Sequence, residues 1–178
     1  RGIIDQACLL EETALAEVND KTFEVACFGP AGSFTHQALE EYFHGRQYNR
    51  HHFQTFEEVI SSISEGAMDY AVLPIENSST GGITEVYDLL RQYDCSIVGE
   101  QCVKIEQNLL GCEGASLGTI KTVYSHPQGL KQCADFFHDY PEIEQVPYFS
   151  TSKSAEEVAE KQDITLGAIA GKQAAELY

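Results

Sequence analysis

Three short polar turns in this sequence carry side chains suited to binding a small anion. One of them, residues 125–128 (SHPQ), follows a short apolar run and precedes apolar residues spaced three and four apart, the pattern of an amphipathic helix. Pro127 fits the first turn of that helix, where a missing N–H costs no hydrogen bond. The free N–H groups and the positive dipole end of the helix then favour an anion at this turn. The same residues also fit an ordinary strand-to-helix turn in which Ser125 caps the helix.

A second turn, residues 29–33 (GPAGS), places small residues before another predicted helix. Its backbone N–H groups could hold a phosphate or a carboxylate, with the hydroxyl of Ser33 as a further donor. The turn lacks the complete dinucleotide fingerprint and the lysine of a phosphate-binding loop. The sequence therefore disfavours a nucleotide site here.

The third turn is the polar cluster at residues 76–79 (ENSS), which ends a predicted buried strand. Burying a carboxylate or an amide there without hydrogen-bond partners would cost free energy. Two interpretations follow. Asn77 and Ser78 cap the helix that begins near Ile83, or Asn77 donates hydrogen bonds to a ligand.

The charge of the chain excludes several classes of partner. The 178 residues include 11 Lys and Arg against 28 Asp and Glu, so the formal net charge is −17. A chain this acidic is poorly suited to binding nucleic acid or an anionic membrane surface. It also contains no apolar run long enough to cross a bilayer. We therefore predict neither nucleic acid nor membrane as a partner.

The cysteine and histidine residues do not have the spacing of a metal site. None of the six cysteines forms a Cys-x-x-Cys pair, and the six histidines are not spaced as ligands on one helix. Cys27 and Cys133 fall on apolar faces and are predicted to be reduced thiols. The sequence thus predicts no metal and indicates a cytoplasmic protein.

The apolar pattern predicts a βαβαβ order in the first half of the chain, which implies a parallel sheet with right-handed crossovers. Thr55 and Glu58 have the spacing of a capping box at the start of the second helix, and Gly66 ends that helix. The predicted strands are residues 23–28, 52–56 and 70–75, and the first helix is 34–44.

The same order recurs roughly 100 residues later, which indicates an internal repeat or a chance similarity between two α/β units. A second capping box is predicted from Ser154 to Glu157. The predicted elements here are strands at 122–124, 144–149 and 166–170, and helices following residues 127, 154 and 172. We therefore expect one lobe at about 22–80 and a second at about 83–178. Residues 1–21 are expected to form a short helix in a linker, or in the tail of an upstream domain.

The repeated strand and helix order predicts an α/β fold with two βαβαβ lobes. Crossing strands at residues 96–110 are expected to join the lobes, with a cleft between them. Ligands in such folds bind beyond the carboxyl ends of parallel strands, where all three polar turns are predicted to lie. Glu100 and Asn108 on the crossing strands are further candidates, although such strand residues are more often exposed.

Four motifs, taken in chain order, resemble the catalytic domain of prephenate dehydratase. They are residues 28–35 (FGPAGSFT), 73–78 (LPIENS), 124–133 (YSHPQGLKQC) and 168–178 (AIAGKQAAELY). The resemblance runs from about residue 23 to residue 178. It implies a fold similar to the two-lobed type 2 periplasmic binding proteins.

The resemblance also implies a function. A member of this family is a carbon–oxygen lyase that converts prephenate to phenylpyruvate in phenylalanine biosynthesis, without a metal or cofactor. On the family pattern, the residues that bind substrate or assist the step are Asn77, Ser125 and Gln132. Further substrate-binding residues by the same comparison are Ser33, Glu76, Ser78, His126 and Gln128. The alternative from another class is a non-catalytic module of the same fold that binds a small carboxylate.

The sequence departs from the family pattern at its end. The family's domain normally continues to a Thr-Arg-Phe motif, whose threonine is the favoured proton donor, and then to a regulatory ACT domain. This chain stops at Tyr178. In some relatives a chorismate mutase domain precedes, and residues 1–21 could be its linker. The full-length protein is expected to be a homo-oligomer.

The 178-residue chain is therefore expected to keep most of the fold but to have little or no dehydratase activity. The measurement is prephenate turnover by this chain beside a longer chain that carries the Thr-Arg-Phe motif. Comparable rates would contradict the expectation.

Overall fold

The computed structural model describes residues 3–10 as a backbone strand and residues 21–178 in full. The strands are β1 (Ile3–Leu10), β2 (Phe23–Phe28), β3 (Tyr48–Phe53), β4 (Tyr70–Asn77), β5 (Gly81–Gly82), β6 (Ile97–Ile105), β7 (Asn108–Leu110), β8 (Thr122–Ser125), β9 (Glu144–Pro147) and β10 (Leu166–Ala170). The helices are α1 (Phe34–Tyr42), α2 (Phe56–Ser64), α3 (Thr84–Gln92), α4 (Pro127–Gln132), α5 (Ala134–Asp139), α6 (Thr151–Lys161) and α7 (Lys172–Leu177).

The described chain divides into two compact units. Unit 1 contains the described residues up to Pro30 together with Phe34–Ile105, and unit 2 contains Ala31–Ser33 together with Glu106–Tyr178. The boundary therefore follows β6, whereas the sequence placed it near residue 80. The reason is packing, because α3 buries apolar side chains in the same cluster as α2 and β4, and β6 contributes to the cluster under α1.

The sheet of unit 1 has the strand order β3-β2-β4-β1-β6, with β5 paired to β4. The pairs β2–β3 and β2–β4 are parallel, which confirms the predicted βαβαβ order. Both faces of the sheet are covered, because side chains along a strand alternate between its faces. Val25 and Cys27 pack in the cluster with α1, whereas Ala26 packs in the cluster with α2 and α3.

The expectation of a helix near the start of the chain was wrong. Ile3–Leu10 forms β1, which lies antiparallel between β4 and β6 and places Cys8 opposite Leu73. A strand is favoured here because its backbone groups pair with the edges of two neighbouring strands, which would otherwise lack partners. The rest of the predicted linker, residues 1–2 and 11–20, lies outside the described residues.

Unit 2 has a second sheet with the order β7-β10-β8-β9. The pairs β8–β9 and β8–β10 are parallel, and β7 runs antiparallel to β10. In each unit the first strand of the βαβαβ series lies at the centre, with the second on one side and the third on the other. This shared order confirms the α/β fold class and the recurrence of the βαβαβ order in the second unit.

The two predicted capping boxes have different outcomes. The first is confirmed, since Glu58 N donates to Thr55 Oγ1 at 3.2 Å and Thr55 N donates to Glu58 Oε2 at 2.9 Å. The second is wrong, because α6 begins four residues earlier than predicted. Ser150 is its N-cap and accepts from Lys153 N at 3.0 Å. Ser154 lies inside the helix, where its hydroxyl donates to Ser150 O at 2.7 Å.

A buried histidine in unit 1 is held in its neutral form. His36 on α1 is 4% exposed, and Arg50 donates a hydrogen bond to its Nε2. Burial lowers the pKa of His36 to about 4, with further contributions from the positive charge of Arg50 and from His52, whose ring lies 5.6 Å away. The carboxylate of Glu40 lies 2.9 Å from the same His36 Nε2 and 3.3 Å from Arg50, so its negative charge is shared between the two.

This histidine makes the protein less stable in acid. Folding lowers the pKa of His36 from 6.5 to about 4. The contribution of this group to the free energy of unfolding is therefore complete above pH 6.5 and is lost as the pH falls towards 4. The free energy of unfolding is expected to fall by about 1.4 kcal/mol per pH unit in that window through this group alone. Urea unfolding of wild type and His36→Gln between pH 7 and pH 4.5 measures the difference in slope. His44→Gln, at an exposed position, is the control, and equal slopes for wild type and His36→Gln would contradict the assignment.

Candidate functional site

Polar residues in unit 2 gather where the parallel strands of its sheet end. Ser125 is the last residue of β8, and Ala170 is the last residue of β10, which runs parallel to β8. Strand β7 runs in the opposite direction and begins with Asn108 opposite Ala170. Gln107, which precedes β7, therefore lies at the same edge as the turn after Ser125. We call this set of strand ends the carboxyl edge of unit 2.

Ser125 joins two strands at this edge. Its side chain is fully buried, and its hydroxyl donates a 2.7 Å hydrogen bond to Ile169 O on β10. Helix α4 lies against it, since a Cβ added at Gly129 would come within 2.6 Å of Ser125 Oγ. The hydroxyl therefore supports the strand pairing and the approach of α4. Its predicted role toward a ligand stays a prediction.

The helix after this turn is capped by His126, so the expectation of a Ser125 cap was wrong. Gln128 N donates to His126 Nδ1 at 3.2 Å. The physical reason is that the Ser125 hydroxyl is occupied by Ile169 O. With Nδ1 as an acceptor, Nε2 is the ring nitrogen that can donate a hydrogen bond. His126 is exposed and Gln128 is half-buried at the edge.

Gln132 at the end of α4 is oriented by a residue that the sequence did not single out. Gln107 Nε2 donates to Gln132 Oε1 at 2.9 Å. Because this contact occupies the amide oxygen, the Nε2 group of Gln132 is left as a hydrogen-bond donor. The sequence pointed instead to Asn108, which is exposed and donates to Glu106 O at 3.1 Å. The signal for Gln107 is its place just before an antiparallel strand, which requires the sheet order to be known.

The turn that contains Ser33 belongs to unit 2. Ser152, fully buried near the start of α6, donates a hydrogen bond from Oγ to Ala31 O. Gly32 has φ +74°, and a Cβ there would lie 3.1 Å from Ala174 Cα of α7. Helices α6 and α7 follow β9 and β10, so they begin at the carboxyl edge and bring half-buried Ser33 close to it. The sequence missed Ser152 because α6 was predicted to begin later.

In unit 1, Asn77 ends β4 in a tight turn. Its Oδ1 accepts from Ser79 N at 2.9 Å and from Ser79 Oγ at 2.5 Å. The first residue of α3 follows Ile83, which makes no side-chain capping bond, so the alternative in which Asn77 and Ser78 cap this helix was wrong. The amide of Asn77 is thus fixed with its nitrogen as the donor. Glu76 and Ser78 beside it are exposed.

Two negative findings concern the part of the chain that the structure describes. There, no three or more His, Cys, Asp and Glu side chains are grouped so that they could hold a metal ion. Within the same residues, no helix has the length and apolar character needed to span a membrane.

The close approach of α4 to Ser125 gives a direct test. Gly129→Ala should destabilise the protein by about 1–3 kcal/mol, because the added methyl would overlap a buried hydroxyl that cannot move without losing its strand contact. The matched control is Gly118→Ala, where the nearest atom, Ser116 Oγ, lies 4.0 Å from the added Cβ. Urea unfolding measures both variants. Equal stability of Gly129→Ala and Gly118→Ala would show that the contact at Ser125 is not tight.

The comparisons with known proteins agree on one family. The family model described as prephenate dehydratase matches residues 25–178. The bifunctional chorismate mutase/prephenate dehydratase of Escherichia coli (strain K12) is 37% identical over 185 residues, which cover 99% of this chain and 46% of that protein. The protein of the same description from Pseudomonas aeruginosa is 33% identical over 160 residues, which cover 89% of this chain and 43% of that protein. The chain thus spans about half the length of these relatives.

Two solved structures have a similar fold. Prephenate dehydratase from Staphylococcus aureus has a TM-score of 0.75 and 28% identity, and the match covers 87% of this chain and 57% of that one. The protein GqqA, described as a novel type of quorum quenching acylase, also has a TM-score of 0.75 and 28% identity, and the match covers 86% of this chain and 55% of that one. Because the family model covers nearly all of the described residues, the chain belongs to the prephenate dehydratase family.

Proposed function

We propose that this domain is the part of a longer protein that binds prephenate, and that the longer protein converts prephenate to phenylpyruvate as a carbon–oxygen lyase. One observation carries the proposal. Two candidate site residues, Asn77 in unit 1 and Gln132 in unit 2, each have the amide oxygen occupied by a neighbouring donor. Both amides are therefore fixed as hydrogen-bond donors, and a substrate with two ionised carboxylates offers only acceptors at those groups.

The chemistry of the substrate fits a site built from such donors. The bond between the ring and its carboxylate breaks, and the electron pair moves into the ring as carbon dioxide leaves. The bond between the ring and its hydroxyl oxygen breaks, and that oxygen takes up one proton and departs as water. Formation of an aromatic ring drives the reaction, so the protein must position the substrate and supply that proton. Neither task requires a metal or a redox cofactor.

The proposed roles follow from where each residue lies. Asn77 in unit 1 and Gln132 in unit 2 are each proposed as a carboxylate donor, and Nε2 of the exposed His126 and the Gln128 side chain are additional donors at the carboxyl edge of unit 2. Ser125 is proposed to assist the reaction indirectly, because its hydroxyl holds β8 and β10 together at the carboxyl edge. Ser33, Glu76 and Ser78 complete the proposed substrate-binding set. A cytoplasmic location is part of the proposal, supported by the free thiols of the described cysteines, as is a homo-oligomeric full-length protein.

Acyl transfer, suggested by the description of GqqA, is less well supported in this chain. A serine nucleophile needs a base that accepts its proton. The Ser125 hydroxyl instead donates to a backbone carbonyl, and His126 Nδ1 accepts from the backbone N–H of Gln128.

The donors at the edge equally suit a module that binds a small dicarboxylate without reaction, which is the competing function.

The test uses the full-length protein that carries this domain, mixed with prephenate, with phenylpyruvate read by its absorbance in alkali. Asn77→Ala should lower kcat/KM by about 100-fold, because it removes a preorganised donor. Asn49→Ala is the matched control. Asn49 lies near the amino end of β3 in the same sheet, opposite Glu24 of β2. Its amide nitrogen donates to Glu24 Oε1 at 2.7 Å. Binding of prephenate by the wild type without product would favour the non-catalytic module, and full activity of Asn77→Ala would contradict the proposed role.

A further inference from the structure

Gln107 has a side-chain oxygen for which the described part of the chain offers no hydrogen-bond partner. Its Oε1 is buried, and it has no hydrogen-bond partner among the described residues. Buried polar atoms without a partner are rare in folded proteins because each carries the cost of its lost hydration. An acceptor kept in this state at the edge of a candidate site indicates that a ligand supplies the missing donor.

The orientation of this oxygen is fixed by the same contact that orients Gln132. Gln107 Nε2 donates to Gln132 Oε1 at 2.9 Å, and an amide is planar, so Oε1 lies beside that contact. Gln107 also lies next to Asn108, which is paired with Ala170 at the carboxyl edge of unit 2. The amide pair therefore carries two different groups, a donor on Gln132 and an acceptor on Gln107.

The chemistry of the proposed substrate identifies what the acceptor would bind. At neutral pH both carboxylates and the ketone of prephenate only accept hydrogen bonds, and the ring hydroxyl is the one group that donates. We propose that Gln107 Oε1 accepts the hydrogen bond of the leaving hydroxyl, which makes Gln107 a substrate-binding residue. This inference rests on the proposed function.

Such a contact would assist the departure of the hydroxyl. Because the O–H bond points at Gln107, the lone pairs of the same oxygen are left free to take up the proton that converts the hydroxyl to water. The water formed when the ring–oxygen bond breaks still has a hydrogen for Gln107 Oε1, so the contact is kept through the step. The keto form of phenylpyruvate has no hydroxyl, so the product lacks this contact.

The experiment compares substrate with product in Gln107→Met of the full-length protein, a variant that keeps the size of the side chain and removes the acceptor. We expect kcat/KM for prephenate to fall 10- to 100-fold, while the inhibition constant of phenylpyruvate changes less than threefold. The control is Gln145→Met, the same replacement at an exposed position of β9, which should leave both constants unchanged. Thermal melting shows whether each variant is folded.

A second measurement uses the wild type alone. A prephenate analogue that lacks the ring hydroxyl should bind at least about tenfold more weakly than an analogue that retains it. Parallel losses for prephenate and phenylpyruvate in Gln107→Met would show that Gln107 only supports the structure, and would overturn the inference, as would unchanged kinetics. Equal binding of the two analogues would also overturn it. An inactive wild type would instead overturn the proposed function, and the inference with it.

Discussion

The candidate site of unit 2 depends on the parallel pairing of β8 with β10. Parallel strands end at one edge of a sheet, and the helices that follow them begin there. Here the hydrogen bond from Ser125 to Ile169 O fixes the two strand ends relative to each other. The close approach of Gly129 to the same hydroxyl then sets the position of α4, and with it the position of Gln132. The buried Ser125 side chain thereby determines where the Gln132 amide lies.

Amide groups need this support because their two ends are nearly the same size but opposite in hydrogen-bonding character. An amide that can turn over presents a donor or an acceptor, which gives little selectivity between ligands. In this protein a neighbour occupies one end of each important amide, Ser79 at Asn77 and Gln107 at Gln132. The negative charge of the whole chain, −17, makes such fixed neutral donors more useful, since they attract a carboxylate without requiring a local excess of lysine and arginine.

Local features of the fold could be predicted from sequence, and features set by distant parts of the chain could not. The capping box at Thr55 depends on residues three apart, and the repeated βαβαβ order depends on periodicity within short segments. Strand β1 was missed because its pairing with β4 and β6 is made with residues far along the chain. Gln107 was missed for the same reason, since its neighbour Gln132 is 25 residues away. The start of α6 was misplaced because two serines, Ser150 and Ser154, were both acceptable caps by local criteria.

The central proposal is that the amide pair of Gln107 and Gln132 recognises the hydroxyl and a carboxylate of prephenate at the carboxyl edge of unit 2. The most direct measurement is a crystal structure of the full-length protein with an unreactive prephenate analogue that retains the ring hydroxyl. We expect the hydroxyl oxygen to lie about 2.8 Å from Gln107 Oε1, with a carboxylate oxygen about 2.9 Å from Gln132 Nε2. An analogue bound with its hydroxyl directed away from Gln107, or bound outside this edge, would contradict the claim.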